Sequence, residues 1–175
     1  MSKCDDKLGF TLIELIVVIT ILGILAAFTA PKLTNISPKY RLRSEARKIA
    51  SQIGWTRSMS AGTDLEHVLR YDLDEQLYWR ILPPGEDEDP ELDVDDRPTD
   101  EKFWLEEGIR IKEIRFPDGS TETNGIIDVY FDGFGNQGSH IVTVENELEK
   151  VLSVKFSALI GSVDFSPEEI EFEEF

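Results

Sequence analysis

Glu14 is the side chain whose chemistry is hardest to accommodate, because it is the single charge in an apolar run, FTLIELIVVITILGILAAFTA, from Phe10 to Ala30. A carboxylate inside a membrane span costs about 2.5–3.5 kcal/mol on insertion scales and is retained where a cation meets it. Lying about a turn inside the edge of the run, it can alternatively reach the headgroups. Ion pairing, rather than catalysis, is the chemistry expected of it. The other reactive residues form no set: His67 and His140 are the only histidines and stand far apart in the chain, and the one cysteine, Cys4, lies next to the start. Without further thiols or imidazoles to complete a zinc set or a nucleophile–base dyad, no enzyme activity, metal or cofactor is expected. The stretch from Glu86 to Glu101 holds acids throughout against Arg97 alone, but lacks the ordered ligand spacing and glycine of an EF-hand, so calcium is not assigned. Disorder or a solvated loop is the expectation for it. Trp55, Trp79 and Trp104 read as core or hairpin packing.

The element that must position Glu14 is a helix. The run from Phe10 to Ala30 has 21 residues, and at about 1.5 Å per residue it reaches about 31 Å, the thickness of a bilayer core. Pro31 follows and marks a kink or an end, since proline disfavours a helical residue before it. A secretory signal would have a shorter apolar stretch with small residues at a cut behind it. Here the stretch is full length, and the glycine that offers a cut, Gly9, stands in front of it.

These residues carry a specific resemblance. MSKCDDKLG followed by FTLIELIVVITILGILAAFTAPKL resembles the class III leader and N-terminal helix of type IV pilins and type II secretion pseudopilins. The resemblance implies cleavage by prepilin peptidase between Gly9 and Phe10, N-methylation of Phe10, an assembly role for Glu14 and a helix kink at Pro31. The ammonium freed on Phe10, in the same chain or in a neighbour, is then the nearest cation for Glu14, and pairing with a neighbour would set the register of a filament. The segments expected are a leader at 1–9, a transmembrane helix at 10–30, a helical spine continuing over 31–62, and a β-rich domain over 63–175 with an acidic loop at 86–101. Charge leaves the orientation open, because Lys3 and Lys7 face Lys32, Lys39, Arg41 and Arg43 across the span. The resemblance implies a single-pass inner-membrane protein with its C-terminal domain in the periplasm.

Behind Pro31, Ser37 can cap a helix and Pro38 fits its first turn. Leu42, Ala46, Ile49, Ala50 and Ile53 recur at helical spacing, so Leu42 to about Ser58 should turn one apolar face to a sheet, with Arg41, Arg43, Arg47 and Lys48 toward solvent or a partner. Beyond Gly62 the pattern changes to short runs rich in β-branched and aromatic residues. Strands are expected over 67–73, 77–82, 109–116, 126–131, 141–145, 151–156 and 159–165, joined by turn-forming breaks that favour antiparallel hairpins. The fold class is α+β, a helix followed by an antiparallel β-sheet domain. The order of LRSEARKIASQIGWTRSMSAG, IRFPDGST, GIIDVYFDGFGNQG and VKFSALIGSVDF is similar to the GspH/FimT group of pseudopilins, which implies two antiparallel sheets.

The net charge of -17 repels phosphate backbones and argues against nucleic acid as a partner. The function implied is that of a minor pseudopilin in a type II secretion pseudopilus, with prepilin peptidase, other pseudopilins and the inner membrane as partners. The alternative is a FimT-like minor pilin of a type IV pilus or competence system. The tail SPEEIEFEEF reads as an edge strand, a docking strip or a frayed end.

Overall fold

The computed structural model describes residues 11–34, 37–134 and 136–172, with side chains over 11–25, 38–134 and 136–172. The chain divides into two compact units, one ending at Ser37 and one beginning at Pro38. The first unit is the helix α1, Leu12–Thr34. It passes through Pro31 and ends three residues later, so Pro31 does not end the helix. A proline withdraws one backbone donor, and the residues behind it remain helical.

The second unit opens with α2, Ser37–Thr63, which has Pro38 in its first turn and is longer at both ends than its apolar pattern predicts. Leu42, Ala46, Ile49 and Ile53 are buried along one stripe of α2, at 5% exposure or less. Among the described residues nine strands follow: β1 His67–Asp72, β2 Leu77–Ile81, β3 Phe103–Trp104, β4 Ile109–Arg115, β5 Thr121–Glu122, β6 Ile126–Phe131, β7 His140–Asn146, β8 Val151–Ser157 and β9 Ser162–Ser166. They form two antiparallel sheets, ordered β3-β2-β1-β6 and β5-β4-β7-β8-β9. One hydrophobic cluster joins the α2 stripe to Leu69, Tyr71 and Tyr78 of the first sheet and to Ile111, Val144 and Phe156 of the second. Full burial of each such side chain stabilises by about 1.5–3 kcal/mol, which is why α2 is held as a layer of the domain.

Two expectations need correction. The last strand begins at Ser162, because Leu159–Gly161 form a turn in which Gly161 takes φ +70° and its N–H donates to the Ser157 carbonyl at 2.7 Å. Apolar composition alone made Leu159 and Ile160 look like strand, yet they are 89% and 76% exposed. Trp104 is 63% exposed on the two-residue strand β3, so it is not a core residue.

The acidic stretch and the tail each cover the outer face of a sheet. On the first sheet, Val68, Leu77, Trp79 and Ile81 make a small second cluster, and Val94 of the acidic stretch packs on it. Asp95 pairs with Arg70 at 2.5 Å on that face, whereas Asp100, at the end of the stretch, pairs with Arg80 on the α2 side of the sheet. On the second sheet, Ser153 donates to the Glu168 carbonyl at 2.8 Å, Arg115 donates to the Ile170 carbonyl at 3.2 Å, and Lys112 pairs with Glu169. The stretch 86–101 is therefore an exposed loop pinned at its second half, and the tail, as far as Phe172, is a strap.

Candidate functional site

Thr11 sits at the start of α1, where its side-chain oxygen accepts from the Glu14 N–H at 3.3 Å and its carbonyl accepts from the Leu15 N–H at 3.2 Å. Thr11 and Glu14 thus have the spacing of a capping box, which satisfies orphan donors of the first turn. The same turn is the positive end of the helix dipole, which favours a carboxylate there. Glu14 has no ion-pair partner among the described residues. Gly9 and Phe10 lie outside the described residues, and so does the Pro31 side chain. The cleavage, methylation and pairing geometry expected of them therefore has no counterpart among the contacts.

Every large apolar side chain from Leu12 to Leu25 is exposed, from 42% at Val18 to 76% at Leu12. A helix that is apolar around its whole circumference normally sits inside a protein core or a membrane. Among the described residues no helix is long and apolar enough to cross a membrane. The described side chains of α1 stop at Leu25, about 20 Å along the axis from Leu12 at 1.5 Å per residue.

In the second unit the titratable groups cluster beneath α2. Glu45 is fully buried, Lys48 bridges it at 2.6 Å to Glu106 at 3.0 Å, and the Glu45 Oε2 has no hydrogen-bond partner. Burial raises the Glu45 carboxyl above its usual range, against the opposing pull of Lys48. Ionised Glu45 is therefore a burden on the fold. The folded domain holds the proton more tightly than the unfolded chain does, so its contribution is lost as pH rises through the folded value. Glu45→Gln should accordingly raise stability at pH 7 by about 1 kcal/mol, and the gain should vanish on acidification below the ordinary carboxylate range. Urea unfolding of both proteins at the two pH values checks this, and equal stability at pH 7 would show that Lys48 fully offsets the burial.

Arg80 ties α2 to the first sheet and the loop: its guanidinium stacks on Trp55 at 3.8 Å, donates to Gln52 and pairs with Asp100. The two histidines are core residues. His67 is buried with its Nδ1 3.1 Å from the Leu65 carbonyl. His140 is completely buried, with Nδ1 2.6 Å from the Gly138 carbonyl and Nε2 2.9 Å from the Tyr71 hydroxyl. A carbonyl only accepts, so Nδ1 carries the proton and Tyr71 donates to Nε2. No group of three or more potential metal ligands occurs among the described residues.

Residues 5–30 match the prokaryotic N-terminal methylation motif. The chain carries a prepilin-type motif. No curated protein sequence matches the chain. A solved structure with a similar fold is the minor pseudopilin EpsH from the Type 2 Secretion System of Vibrio cholerae, with a TM-score of 0.52 and 9% identity over 72% of this chain and 96% of that one. At that identity the likeness concerns the fold, an N-terminal helix followed by antiparallel sheets.

Glu14 lies on α1 in the first unit, and the polar groups around Glu45, Arg80 and His140 belong to the second. Sequence reasoning missed the capping partner Thr11, although a threonine three residues before a glutamate is the readable signal. Glu45 was equally visible as a charge on the apolar stripe of α2, between Leu42 and Ala46. The Tyr71–His140 pair joins residues from different sheets and has no local signal.

Proposed function

We propose that this chain is a pilin-like subunit of a membrane-anchored filament, of the type II secretion pseudopilus kind. The observation that carries the reading is α1: its described side chains are apolar on all sides and exposed, with one carboxylate in its first turn, inside the prepilin-type motif. Prepilin peptidase would cut between Gly9 and Phe10 and leave a methylated ammonium on Phe10. Before assembly, the run from Phe10 to Ala30 would lie across the inner membrane, with the domain beyond it in the periplasm. In the filament, α1 helices would bury one another, and Glu14 would meet the Phe10 ammonium of a neighbour and fix the axial register. Pro31 would serve as a kink in the same helix.

The test is the intact mass of the chain from cells with and without prepilin peptidase, together with its recovery in sheared filaments. Expected is loss of Met1 to Gly9 and gain of one methyl group, both dependent on the peptidase and both abolished by Gly9→Val. Glu14→Leu should still be cut, yet fall at least tenfold in the filament fraction. An uncut chain in both strains rejects the reading.

A further inference from the structure

The surface of α2 carries a stripe of cations that the rest of the chain leaves unpaired. Lys39, Arg43 and Arg47 recur every four residues and so share one face of the helix. All three are exposed, with Tyr40 beside them at 69% exposure, and none has an acidic partner among the described residues. In a chain with 35 acids and 18 bases, a cation without a carboxylate is the less expected state. Elsewhere Arg41, Lys48, Arg70, Arg80, Arg97, Arg110, Lys112 and Arg115 each hold one, and Arg57, Lys102, Lys150 and Lys155, which do not, are scattered rather than aligned on one face. The stripe also begins at the positive end of the helix dipole, in a first turn without any acid. Local stability does not account for cations there.

The complementary surface is on the same chain. Glu86, Asp87, Glu88, Asp89 and Glu91 are all exposed and have no ion-pair partner among the described residues, although Asp95 and Asp100 further along the loop are paired. The Gly85 N–H donates to the Glu88 carboxylate at 2.8 Å and the Glu91 N–H donates to the Asp89 carboxylate at 2.9 Å, so these acids are presented on two local turns. The stripe from Lys39 to Arg47 covers about 12 Å of helix, within the reach of a six-residue segment. Within one molecule no ion pair joins the two surfaces among the described residues. α2 packs on the inner face with Leu69, Tyr71 and Tyr78, whereas Val94 and Asp95 hold the loop on the outer face with Trp79 and Arg70.

We propose that the Lys39/Arg43/Arg47 stripe of one copy docks the Glu86–Glu91 loop of a second copy. Arginine forks match carboxylates bidentately, which suits these pairs better than any apolar partner. The interface is heterologous: each copy offers its stripe to one neighbour and its loop to another, and repetition builds a chain of subunits. The overall repulsion between two copies of charge -17 is screened beyond about 8 Å at physiological salt, whereas the contact pairs are closer than that. The contact rests on the second unit alone and does not require the role given to Glu14.

The test uses full-length chains with two different tags, co-expressed in membranes and oxidised. One carries Arg47→Cys and the other Glu88→Cys, both with Cys4→Ser. Expected is a mixed cross-linked dimer several-fold above that of the control pair Arg47→Cys with Glu149→Cys. Adding Lys39→Glu and Arg43→Glu to the first chain should lower the yield at least tenfold, and adding Glu86→Lys and Asp89→Lys to the second should restore it. Restoration by charge exchange cannot come from misfolding. A yield no higher than the control pair, or one indifferent to charge reversal, overturns the proposal. So does a cross-link that forms in vesicles containing phosphatidylglycerol and not in phosphatidylcholine alone, because the stripe would then be serving an anionic lipid surface. With Glu14→Leu in both chains the cross-link should persist, which separates this contact from filament assembly.

Discussion

Between pH 6.5 and pH 4 the folded domain should lose about 3 kcal/mol of stability through His140 alone. Complete burial lowers its imidazole from 6.5 to about 4, while the Gly138 carbonyl pulls the other way. In this window the unfolded chain binds a proton that the folded one refuses, so falling pH favours unfolding. Protonation would also put a hydrogen on the Nε2 that now accepts from Tyr71, so the hydroxyl would have to turn its own proton away into the core and accept instead. Tyr78, Phe131 and Phe156 lie around the pair and offer no counter-charge. His67, lowered by burial as well, adds to the loss, and Glu45 opposes it. Asp100 and Glu106, held low by a backbone N–H and by Lys48 respectively, contribute only as pH falls through their lowered values. Urea unfolding of the purified full-length chain in detergent at pH 7 and pH 4.5, with His140→Gln and His67→Gln beside it, separates the terms. His140→Gln should be less stable at pH 7 and lose much less on acidification. An unchanged slope in that variant would mean that water reaches the imidazole.

Ile53→Ala should cost about 3 kcal/mol, within the range of about 2–5 kcal/mol for such truncations. Ile53 is fully buried in the cluster that α2 shares with both sheets. Neither a neighbouring strand nor the helix can move into the space without disturbing Ile49 or Ala46, which are also fully buried. Leu159→Ala, made at a turn residue that is 89% exposed, should change stability by less than about 0.5 kcal/mol. Denaturant midpoints at constant slope measure both. A loss below about 1 kcal/mol at Ile53 would mean that α2 is a loosely attached arm.

Most of the fold was legible because its signals are local. The apolar stripe of α2 depends on period alone, and β1, β2, β4, β6, β7 and β8 on runs rich in β-branched and aromatic residues. The ends of elements were less legible: Leu159 and Ile160 are apolar enough for a strand, and only the positive φ at Gly161 turns them outward. β3 and β5 are two-residue pairings fixed by their partners rather than by propensity. The acidic stretch and the tail were legible as polar, but their places on the outer faces depend on Arg70, Lys112 and Arg115, which are distant in sequence. Glu14 was legible because a charge in an apolar run has few explanations. Glu45 could be read as a charge beside the stripe, but the completeness of its burial could not, since that depends on how closely the sheets approach α2.

Each sheet ends on one side in a two-residue strand, β3 or β5, and on the other in a strand with an acid at its centre, Asp128 in β6 and Asp164 in β9. Short edges and central charges discourage a further strand from adding to a sheet. Subunits confined to a membrane and fed into a growing polymer meet at high local concentration, the condition under which open sheet edges seed amyloid. In this domain that competing order has little to start from.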